Sequence, residues 1–353
     1  FCTFVFMNFS SILVKWYDIN KRDLPWRKTN DPYKIWLSEI ILQQTRVDQG
    51  LSYYNKFVLY YPKIYDLAKA SEDEVLKLWQ GLGYYSRARN LHFTAKFICD
   101  NYDSVFPETH KELLLLKGIG LYTASAISSF AFNLKYAVVD GNVIRVLSRI
   151  YGVYSFYDSS IGKKDFLKLA EQKLPIKNSD THNQAIMEFG ALVCKPKKPN
   201  CLDCIFNEKC YAFNNSKIHI LPRKINKIKV VSRYLHFLII YHLDNIFLIK
   251  KKKGIWSGLY EFPFIEYSQM LDNDDVLISE EWVSFFTNHK VSVNLVSPLI
   301  IHKLSHQKLH VKFWHLRCDS LELKDYDSIK ITKLHEFPVS RLMDIYLSDN
   351  NIC

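Results

Sequence analysis

Two carboxylic acids in the first half of the chain have surroundings that favour different protonation states. Glu39 lies within the segment WLSEIILQQ, among the apolar residues of a predicted helix. Burial beside an apolar face raises the pKa of a carboxyl group, so Glu39 is a candidate proton donor. Asp140 stands just before the predicted helix NVIRVLSR, where the free amides of a helix N-terminus favour an ionised carboxylate. Such a pair would suit cleavage of a glycosidic bond through an oxocarbenium-like transition state.

Each acid also has a simpler interpretation. Glu39 could be a solvent-facing helix residue, and Asp140 could be only the N-cap of the helix that follows it. The pair therefore has to be judged together with the motifs around it.

A second set of reactive side chains is the four cysteines of the segment CKPKKPNCLDCIFNEKC. They are separated by six, two and five residues: Cys194, Cys201, Cys204 and Cys210. A cytosolic setting disfavours disulfides, and structural zinc sites usually pair their cysteines in two knuckles. Four thiolates can instead hold one four-iron cluster, although the spacing alone leaves zinc as a rival. The other cysteines are scattered and are interpreted as buried or incidental thiols: Cys2, Cys99, Cys318 and Cys353.

The composition is that of a two-domain globular protein with an anionic partner. A chain of 353 residues is too long for one typical core. Its formal net charge of +11 favours nucleic acid, although a general richness in Lys, Ile and Asn would produce the same excess. The opening FCTFVFMNFSSILV lacks the basic start and cleavage site of a signal peptide, and no later run is long enough to span a membrane. We therefore expect a cytoplasmic protein.

Helical patterns cover residues 1 to about 212 and position both acids. Asp31 and Pro32 form the N-cap and first-turn pair that opens the helix PYKIWLSEIILQQ. Ser71 and Glu74 form a capping-box pattern ahead of VLKLW, and Gly81 is placed to end that helix. Further helices are predicted in SRARNLHFTAKFICDNY, HKELLLL, LYTASAISSFAF, NVIRVLSRIYGV and THNQAIMEFGALVC.

The pattern changes after the last clustered cysteine. Residues 213–232 have no apolar period, which predicts a linker. Its basic side chains either follow a phosphate backbone or are simply solvated: Lys217, Arg223, Lys224, Lys227 and Lys229. From residue 233 the segments RYLHFLIIYH, NIFLIK and LHVKFWHLR predict strands, with a single helix at EEWVSFFTNH. Residues 233–353 are therefore predicted to form a small α+β domain.

The segment LLKGIGLYTASAI, residues 114–126, has the glycines of a tight turn before a helix whose N-terminal amides could meet a phosphate. Such glycines are common by themselves, but here VVDGNVIRVLSR and the cysteine segment follow. Together with LPWRKTNDPYKIWLSEIILQQTRV, GLGYYSRARNL and NQAIMEFGALVC, these motifs resemble the endonuclease III superfamily of DNA glycosylases, and within it the adenine-specific branch. The resemblance covers nearly the whole chain.

This resemblance implies a fold and a cofactor. We expect a mainly α domain over residues 1–212, formed by a helix-hairpin-helix six-helix barrel and an iron–sulfur module. A [4Fe–4S] cluster would bind the four cysteines of the loop 194–210. Residues 233–353 resemble the family's Nudix-like recognition domain, with GIWSGLYEFP as the clearest motif, but they lack the acidic box that would hold magnesium in a Nudix hydrolase.

The resemblance also implies catalytic roles. Glu39 would protonate the adenine ring, and Asp140 would stabilise the sugar cation that develops as the base leaves. Tyr122 and Asn142 match positions that support the cation and the acids. Relatives that also cut the DNA backbone carry a Lys at the position of Tyr122, where its amine forms a Schiff base with the sugar. A monofunctional glycosylase is therefore expected.

Further matching positions are implied to contact DNA after base flipping. They fill the gap in the duplex, contact 8-oxoguanine, line the adenine pocket or form the hairpin: Arg27, Gln44, Thr45, Leu82, Tyr84, Tyr85, Gly118, Gly120 and Gln184. In HKLSH, Ser305 and His306 match the loop that reads 8-oxoguanine. Simpler interpretations are core aromatics for the two tyrosines and a surface residue for Gln44.

The resemblance implies a monomeric, adenine-specific DNA glycosylase of base-excision repair, and we expect it to be associated with the nucleoid of a bacterial-type cytoplasm. Its expected partner is double-stranded DNA with adenine opposite 8-oxoguanine or guanine. The chain departs from the family pattern at Lys117, where Pro is usual, and at Leu304, where Phe is usual.

Two alternatives remain: a mismatch glycosylase for thymine or damaged pyrimidines, and a non-catalytic, cluster-bearing module that binds damaged DNA. The C-terminal extension weighs against the first, and the retention of both acids weighs against the second.

Overall fold

The chain divides into two compact units in a computed structural model that describes residues 8–225, 229–287, 289–318, 323 and 325–352. The helical unit comprises Phe1–Lys69 and Asn90–Asn226, and the mixed unit comprises Ala70–Arg89 and Lys227–Cys353. Residues 70–89 therefore belong to the mixed unit, although they lie early in the sequence. The domain boundaries inferred from composition, at 212 and 233, stay a prediction.

In chain order the helices are α1 Phe9–Asn20, α2 Pro32–Leu42, α3 Val47–Tyr60, α4 Ile64–Lys69, α5 Glu72–Trp79, α6 Ser86–Asn101, α7 His110–Leu113, α8 Leu121–Phe130, α9 Gly141–Tyr151, α10 Ser160–Lys173, α11 Ser179–Leu192, α12 Tyr211–Asn214, α13 Asn273–Ile278, α14 Glu280–Phe285 and α15 Arg341–Asp349. The strands are β1 Val231–His242, β2 Asn245–Lys250, β3 Tyr260–Glu261, β4 Phe264–Tyr267, β5 Val291–Val296, β6 Ile300–Lys303, β7 Gln307–Cys318 and β8 Asp327–Lys330. None of the helices in the described part of the chain is both long and apolar enough to cross a bilayer.

The predicted helix starts are confirmed by their side-chain caps. Asp31 accepts a hydrogen bond from the Tyr33 amide (3.0 Å), with Pro at the first position of α2. At α5 both halves of the capping box are present, because Ser71 accepts from the Glu74 amide and the Glu74 carboxylate accepts from the Ser71 amide. These local signals need no tertiary contact, which is why the sequence reveals them.

The core of the helical unit lies around α1, α9 and α11. Its fully buried side chains include Leu13 on α1, Val146 and Leu147 on α9, and Phe189 on α11. Helix α2 differs from these amphipathic helices because almost every residue from Tyr33 to Ile41 is buried, whichever way it faces. A helix that is apolar all round belongs in an interior, so any polar group on it is desolvated.

One mixed sheet of eight strands organises the described part of the mixed unit, with the order β3-β2-β1-β7-β5 along its main path. The long strands β1 and β7 run parallel, and the other pairs are antiparallel. The three predicted strands are confirmed as β1, β2 and β7. The prediction of a single helix is wrong, because α13 and α15 accompany α14. Helix α15 packs its Tyr346 ring against Phe313 of β7 at a centroid distance of 3.7 Å.

Part of the predicted linker packs against the helical unit. Leu221 is only 2% exposed within that unit's core, and the Arg223 carbonyl accepts a hydrogen bond from the Tyr157 amide (3.1 Å). The Arg223 guanidinium lies 4.1 Å from the centroid of the Phe156 ring. These contacts tie residues up to Ile225 to the helices. Lys227, Cys2 and Cys353 lie outside the described residues.

Candidate active site

A cavity of about 260 Å³ in the helical unit collects most of the residues to which the sequence assigns chemistry. Predicted residues that line it are Arg27, Glu39, Thr45, Tyr122, Asp140, Asn142 and Gln184. They come from the turn before α2, from α2 and the turn after it, and from α8, α9 and α11. Segments far apart in sequence thus converge on one concave site of the kind that binds small molecules.

Glu39 is buried in this cavity and is only 7% exposed. The Tyr122 hydroxyl donates a hydrogen bond of 2.7 Å to Glu39 Oε2. Burial raises the pKa of Glu39 to about 7, although the Tyr122 hydrogen bond opposes the rise. The interpretation of Glu39 as a solvent-facing residue is therefore wrong, and its carboxyl group is poised to donate a proton near neutral pH.

Asp140 caps α9, as its position before that helix predicts. Its Oδ1 accepts from the Val143 amide (2.8 Å), and its Oδ2 accepts from Asn142 Nδ2 (2.7 Å). Burial raises the pKa of Asp140, and the N–H donors expected to favour its ionised form lower it without outweighing the burial. Three N–H groups, including the Asn142 amide, stabilise the anion of Asp140, whereas a single hydroxyl faces Glu39. Asp140 is therefore the better placed of the two to carry negative charge.

Asn142 connects the catalytic corner to the segment that begins at Cys194. Its Oδ1 accepts from Arg145 Nη2 (2.7 Å), and Arg145 Nε donates to the Cys194 carbonyl (2.6 Å). Helices α9 and α11 approach so closely here that a β-carbon on Gly190 would lie 2.6 Å from Cβ of Asn142. Gly190 thus lets α11 pack closely against α9 at Asn142.

Another wall of the cavity is an ion-pair cluster that the sequence does not reveal. Glu188 accepts hydrogen bonds from Arg22 (2.9 and 2.6 Å) and from Arg27 (3.0 and 2.8 Å). Burial raises the pKa of Glu188, but the hydrogen bonds from both arginines outweigh it and lower the pKa to about 2. Gln184, one helical turn before Glu188, accepts from the Tyr17 hydroxyl (2.8 Å). The i, i+4 spacing of Gln184 and Glu188 was the available signal.

A second cavity of about 280 Å³ is also lined by both acids. Gln43, Gln44, Val139 and Gly141 line it together with residues of the first cavity, including Glu39 and Asp140. Gln44 adopts a left-handed backbone conformation (φ 56°) in the turn that ends α2. Glu39, Tyr122 and Asp140 therefore line both cavities.

The predicted hairpin is present between α7 and α8. Gly118 has φ +82°, and a β-carbon there would lie 2.8 Å from Cβ of Asn90, so this position requires glycine. Gly120 is the N-cap of α8 with open space around it, which keeps its amide accessible. The Lys117 carbonyl accepts from the Thr94 hydroxyl (2.7 Å), and its ammonium lies 4.4 Å from the Phe93 ring centroid. These two contacts stabilise the turn at Lys117, the position where the family usually has Pro.

The residues of the mixed unit that are predicted to contact 8-oxoguanine and the duplex differ in their exposure. Tyr84 is 45% exposed, and its hydroxyl contacts the hydroxyl of Ser305 in the exposed turn before β7. Tyr85 is only 3% exposed and donates to the Val339 carbonyl (3.3 Å), and Leu82 is also buried. His306 is exposed, and its carbonyl accepts from the Val231 amide (3.0 Å). The structure therefore brings Tyr84 and Ser305 together and places Tyr85 in the core.

The four clustered cysteines line one small, mostly apolar cavity of about 20 Å³. Arg149 Nη1 lies 3.5 Å from Cys194 Sγ, and the Phe206 amide donates to Cys204 Sγ (3.4 Å). N–H donors and a cation beside the sulfur atoms suit thiolates that bind a metal cluster, so the residues fit the implied cofactor. Among the described residues, no group of three or more His, Cys, Asp or Glu side chains is arranged to hold a single metal ion.

Comparison with known proteins assigns the family. A model of the HhH-GPD superfamily of base excision DNA repair proteins matches residues 37–172, and a NUDIX domain model matches residues 236–349. The adenine DNA glycosylase of Buchnera aphidicola subsp. Baizongia pistaciae is 36% identical over 86% of this chain and 84% of its own length. The chain belongs to the adenine DNA glycosylase family. Other adenine DNA glycosylases are 36% identical over 74% of the chain (Arabidopsis thaliana, 48% of that protein) and 41% identical over 58% (Homo sapiens, 39% of that protein).

Solved structures agree with the predicted fold of this adenine DNA glycosylase family member. A thermostable thymine-DNA glycosylase superposes with a TM-score of 0.55 and 32% identity, over 59% of this chain and 95% of that one. A non-covalent endonuclease III–DNA complex gives a TM-score of 0.52 at 21% identity, over 59% of this chain and 94% of that one, which supports the fold. The helix-hairpin-helix and Nudix-like architecture is therefore confirmed, and the chain is a hydrolase of N-glycosyl bonds in base-excision repair.

Proposed function

We propose that the chain is a monofunctional DNA glycosylase that hydrolyses the N-glycosidic bond of adenine opposite 8-oxoguanine or guanine. The observation that carries this proposal is the arrangement of Glu39, Tyr122 and Asp140 around one cavity. A carboxyl group with a pKa of about 7 can protonate a base at neutral pH, and a hydrogen-bonded aspartate beside it can stabilise a sugar cation.

Each residue has a distinct part in the proposed reaction. The flipped adenine occupies the cavity lined by Arg27 and Gln184, and Glu39 protonates a ring nitrogen of the base from the oxygen that Tyr122 does not contact. The weakened glycosidic bond then breaks, and Asp140 stabilises the positive charge that develops on the deoxyribose. Water then bonds to the sugar carbon that the base has left, and the proton that this water loses replaces, through solvent, the one that Glu39 donated to the base.

The absence of strand cleavage is part of the proposal. Among the described residues that line the catalytic cavity, none is a lysine whose amine could form a Schiff base with the opened sugar. The position where bifunctional relatives would have that amine is Tyr122, and burial together with the charge of Glu39 raises its pKa well above the ordinary value. Its hydroxyl therefore remains a hydrogen-bond donor.

Recognition of the opposite base is assigned to the mixed unit. The exposed Tyr84 ring can stack on a base, while Ser305 and His306 offer hydrogen-bonding groups in an exposed turn. Leu304 supplies an apolar side chain where a larger ring would give more contact area. Gln44 and Thr45, and the amides near Gly118 and Gly120, are proposed to contact the flipped strand.

The same proposal includes a [4Fe–4S] cluster on Cys194, Cys201, Cys204 and Cys210. When bound, the cluster supplies a cross-link that holds the segment 194–210 folded beside α9. Arg149 supports that segment from the protein side, since it also donates to the Lys195 carbonyl (2.8 Å). No step of base removal is assigned to the cluster.

Substitution of Cys204 by Ser is expected to remove the bound iron and lower the melting temperature. A serine oxygen is a poor ligand for iron, and the apolar lining offers no substitute. Metal analysis and the visible absorbance of the purified protein measure the loss. Cys99→Ser is the matched control, because Cys99 lies on α6 outside the cluster cavity. Stoichiometric zinc in the unmodified protein would replace the cluster hypothesis.

The deciding test of the function is single-turnover base release from a duplex with one adenine opposite 8-oxoguanine. Release is expected from this duplex and not from an adenine–thymine control, and strand breaks should appear only after alkali. Breaks without alkali, or a borohydride-trapped adduct, would contradict the monofunctional mechanism. A chain that binds the duplex without releasing adenine would instead be a damage-binding module.

Thymine as the substrate has less support than adenine. The thymine-DNA glycosylase aligns over 95% of its own length with only 59% of this chain. That alignment leaves much of the chain without a counterpart, whereas the Buchnera adenine DNA glycosylase matches 86% of it. A monomeric, cytoplasmic and nucleoid-associated enzyme remains the expectation for assembly and location.

A further inference from the structure

A buried arginine holds the loop that presents Tyr84. The backbone enters the left-handed region at Gly81, Gly83 and Tyr84, with φ values of 98°, 73° and 48°. A tyrosine rarely adopts that conformation, so contacts rather than intrinsic preference must fix it. Arg87 Nη2 provides such contacts by donating to the carbonyls of Gly83 (3.2 Å) and Leu82 (3.4 Å).

Two aromatic rings flank the same guanidinium. Its central carbon lies 5.0 Å from the centroid of the Trp79 ring and 5.8 Å from that of Tyr84. Trp79 Nε1 also donates to the Gly83 carbonyl (3.0 Å), so the Trp79 indole and the Arg87 guanidinium both bind the same carbonyl oxygen. Burial lowers the pKa of Arg87 to about 10, which still leaves it charged at neutral pH. A planar cation can stack and donate in its plane at once, which a lysine cannot do.

The result of this arrangement is that one ring faces outward from a loop whose carbonyls are hydrogen-bonded to Arg87 and Trp79. Leu82 and Tyr85 on either side of the turn are buried, and only Tyr84 is substantially exposed. An aromatic side chain that is already oriented loses less conformational freedom when it stacks on a base than one on a mobile loop.

We propose that Arg87 is a positioning residue for mispair reading, which fixes the Tyr84 ring in the orientation in which it stacks on a base of the duplex. The inference rests on the proposed function, because the stacked base belongs to the DNA substrate. Arg87 does not touch the base itself. It acts through Tyr84, and this indirect action distinguishes it from a residue that merely contributes to folding.

A double-mutant cycle tests this indirect action. Dissociation constants for a duplex with adenine opposite 8-oxoguanine are measured for the full chain, Arg87→Met, Tyr84→Ala and the double variant, all in a Glu39→Gln background that prevents turnover. We expect each single substitution to weaken binding about tenfold, and the double variant to bind no more weakly than Tyr84→Ala. Arg87→Lys should bind almost as weakly as Arg87→Met.

Arg89→Met is the matched control. Arg89 lies two residues after Arg87 on α6, and its guanidinium donates to the Ser257 carbonyl, whereas that of Arg87 donates to the Gly83 and Leu82 carbonyls. Any effect of Arg89→Met should add to that of Tyr84→Ala. The proposal is overturned if Arg87→Met binds like the parent, or if its loss adds fully to that of Tyr84→Ala. Thermal unfolding shows whether Arg87→Met is misfolded. If it is, the dissociation constant of Arg87→Lys takes its place in the test, and parental binding by Arg87→Lys overturns the proposal.

Failure of this inference is distinguishable from failure of the proposed function. If the unmodified chain releases no adenine, the function is wrong, whatever the cycle shows. If it releases adenine and the cycle is additive, the function stands and Arg87 has only a folding role.

Discussion

Substitution of Glu39 by Gln is expected to abolish adenine release and to leave duplex binding unchanged. Glutamine preserves the size of the side chain and can still accept the Tyr122 hydrogen bond, but its amide has no acidic proton for the departing base. Loss of a general acid should lower the single-turnover rate about 10³-fold. Rapid-quench assays measure the rate, and equilibrium titration measures binding. Near-parental turnover would exclude Glu39 as the acid.

The raised pKa of Glu39 predicts two pH effects. Only protonated Glu39 can donate, so adenine release by the unmodified protein should fall as the pH rises through about 7. Because the folded pKa lies above the unfolded value of 4.5, the folded state holds this proton more tightly, and stability is lost between these two pKa values as the pH rises. Above that window Glu39→Gln should be more stable than the parent by about 3 kcal/mol.

Urea unfolding below and above that pH window measures this stability difference. The variant and its parent should unfold at similar urea concentrations in acid and diverge in mild alkali. Equal stability in mild alkali would show that Glu39 ionises without cost, and would contradict its buried surroundings.

Substitution of Asp140 by Asn is expected to reduce adenine release about 10³-fold, because it removes the charge that stabilises the sugar cation. Asn is nearly as good an N-cap as Asp, so α9 should remain folded and the melting temperature should change little. Asp31→Asn is the matched control, since Asp31 caps α2 in the same way but does not line the catalytic cavity. Single-turnover rates of the two variants distinguish the effect of losing the negative charge at Asp140 from the effect of changing an N-cap side chain. Equal rates for Asp140→Asn and the parent would show that Asp140 serves only as the N-cap of α9.

Local signals explain what the sequence reveals of the fold. The caps at Asp31, Ser71 and Asp140 each involve residues within three positions, so their helices are predictable. Helix α13 has no side-chain cap, and α15, although Ser340 caps it, packs against the distant residue Phe313. The general division into a helical and a mixed part follows from periodicity alone.

The candidate site divides in the same way. Glu39 is identifiable because its apolar neighbours adjoin it on α2, whereas Arg22 and Glu188 stand 166 positions apart in their hydrogen bond. The cap of Asp140 is local, but the burial that raises its pKa depends on the folded surroundings, in which Asp140 lines a cavity with residues of distant segments. Tyr84 and Tyr85 look alike in sequence, but only Tyr85 is buried, where it donates to the remote Val339 carbonyl.

The membership of residues 70–89 in the mixed unit has a consequence for synthesis on the ribosome. Lys77 donates to the Phe337 carbonyl (3.1 Å) and Gln80 to the Asp344 carboxylate (2.6 Å), and a β-carbon on Gly258 would meet Leu76 at 3.1 Å. The first of these partners, Gly258, leaves the ribosome 179 residues after Trp79 at the end of α5. The packing of α5 against these partners can therefore form only after most of the chain has been translated. A product truncated before β1 would lack the groups on which α5 and the Tyr84 loop pack. A premature stop codon late in the gene would thus damage a segment encoded near its beginning.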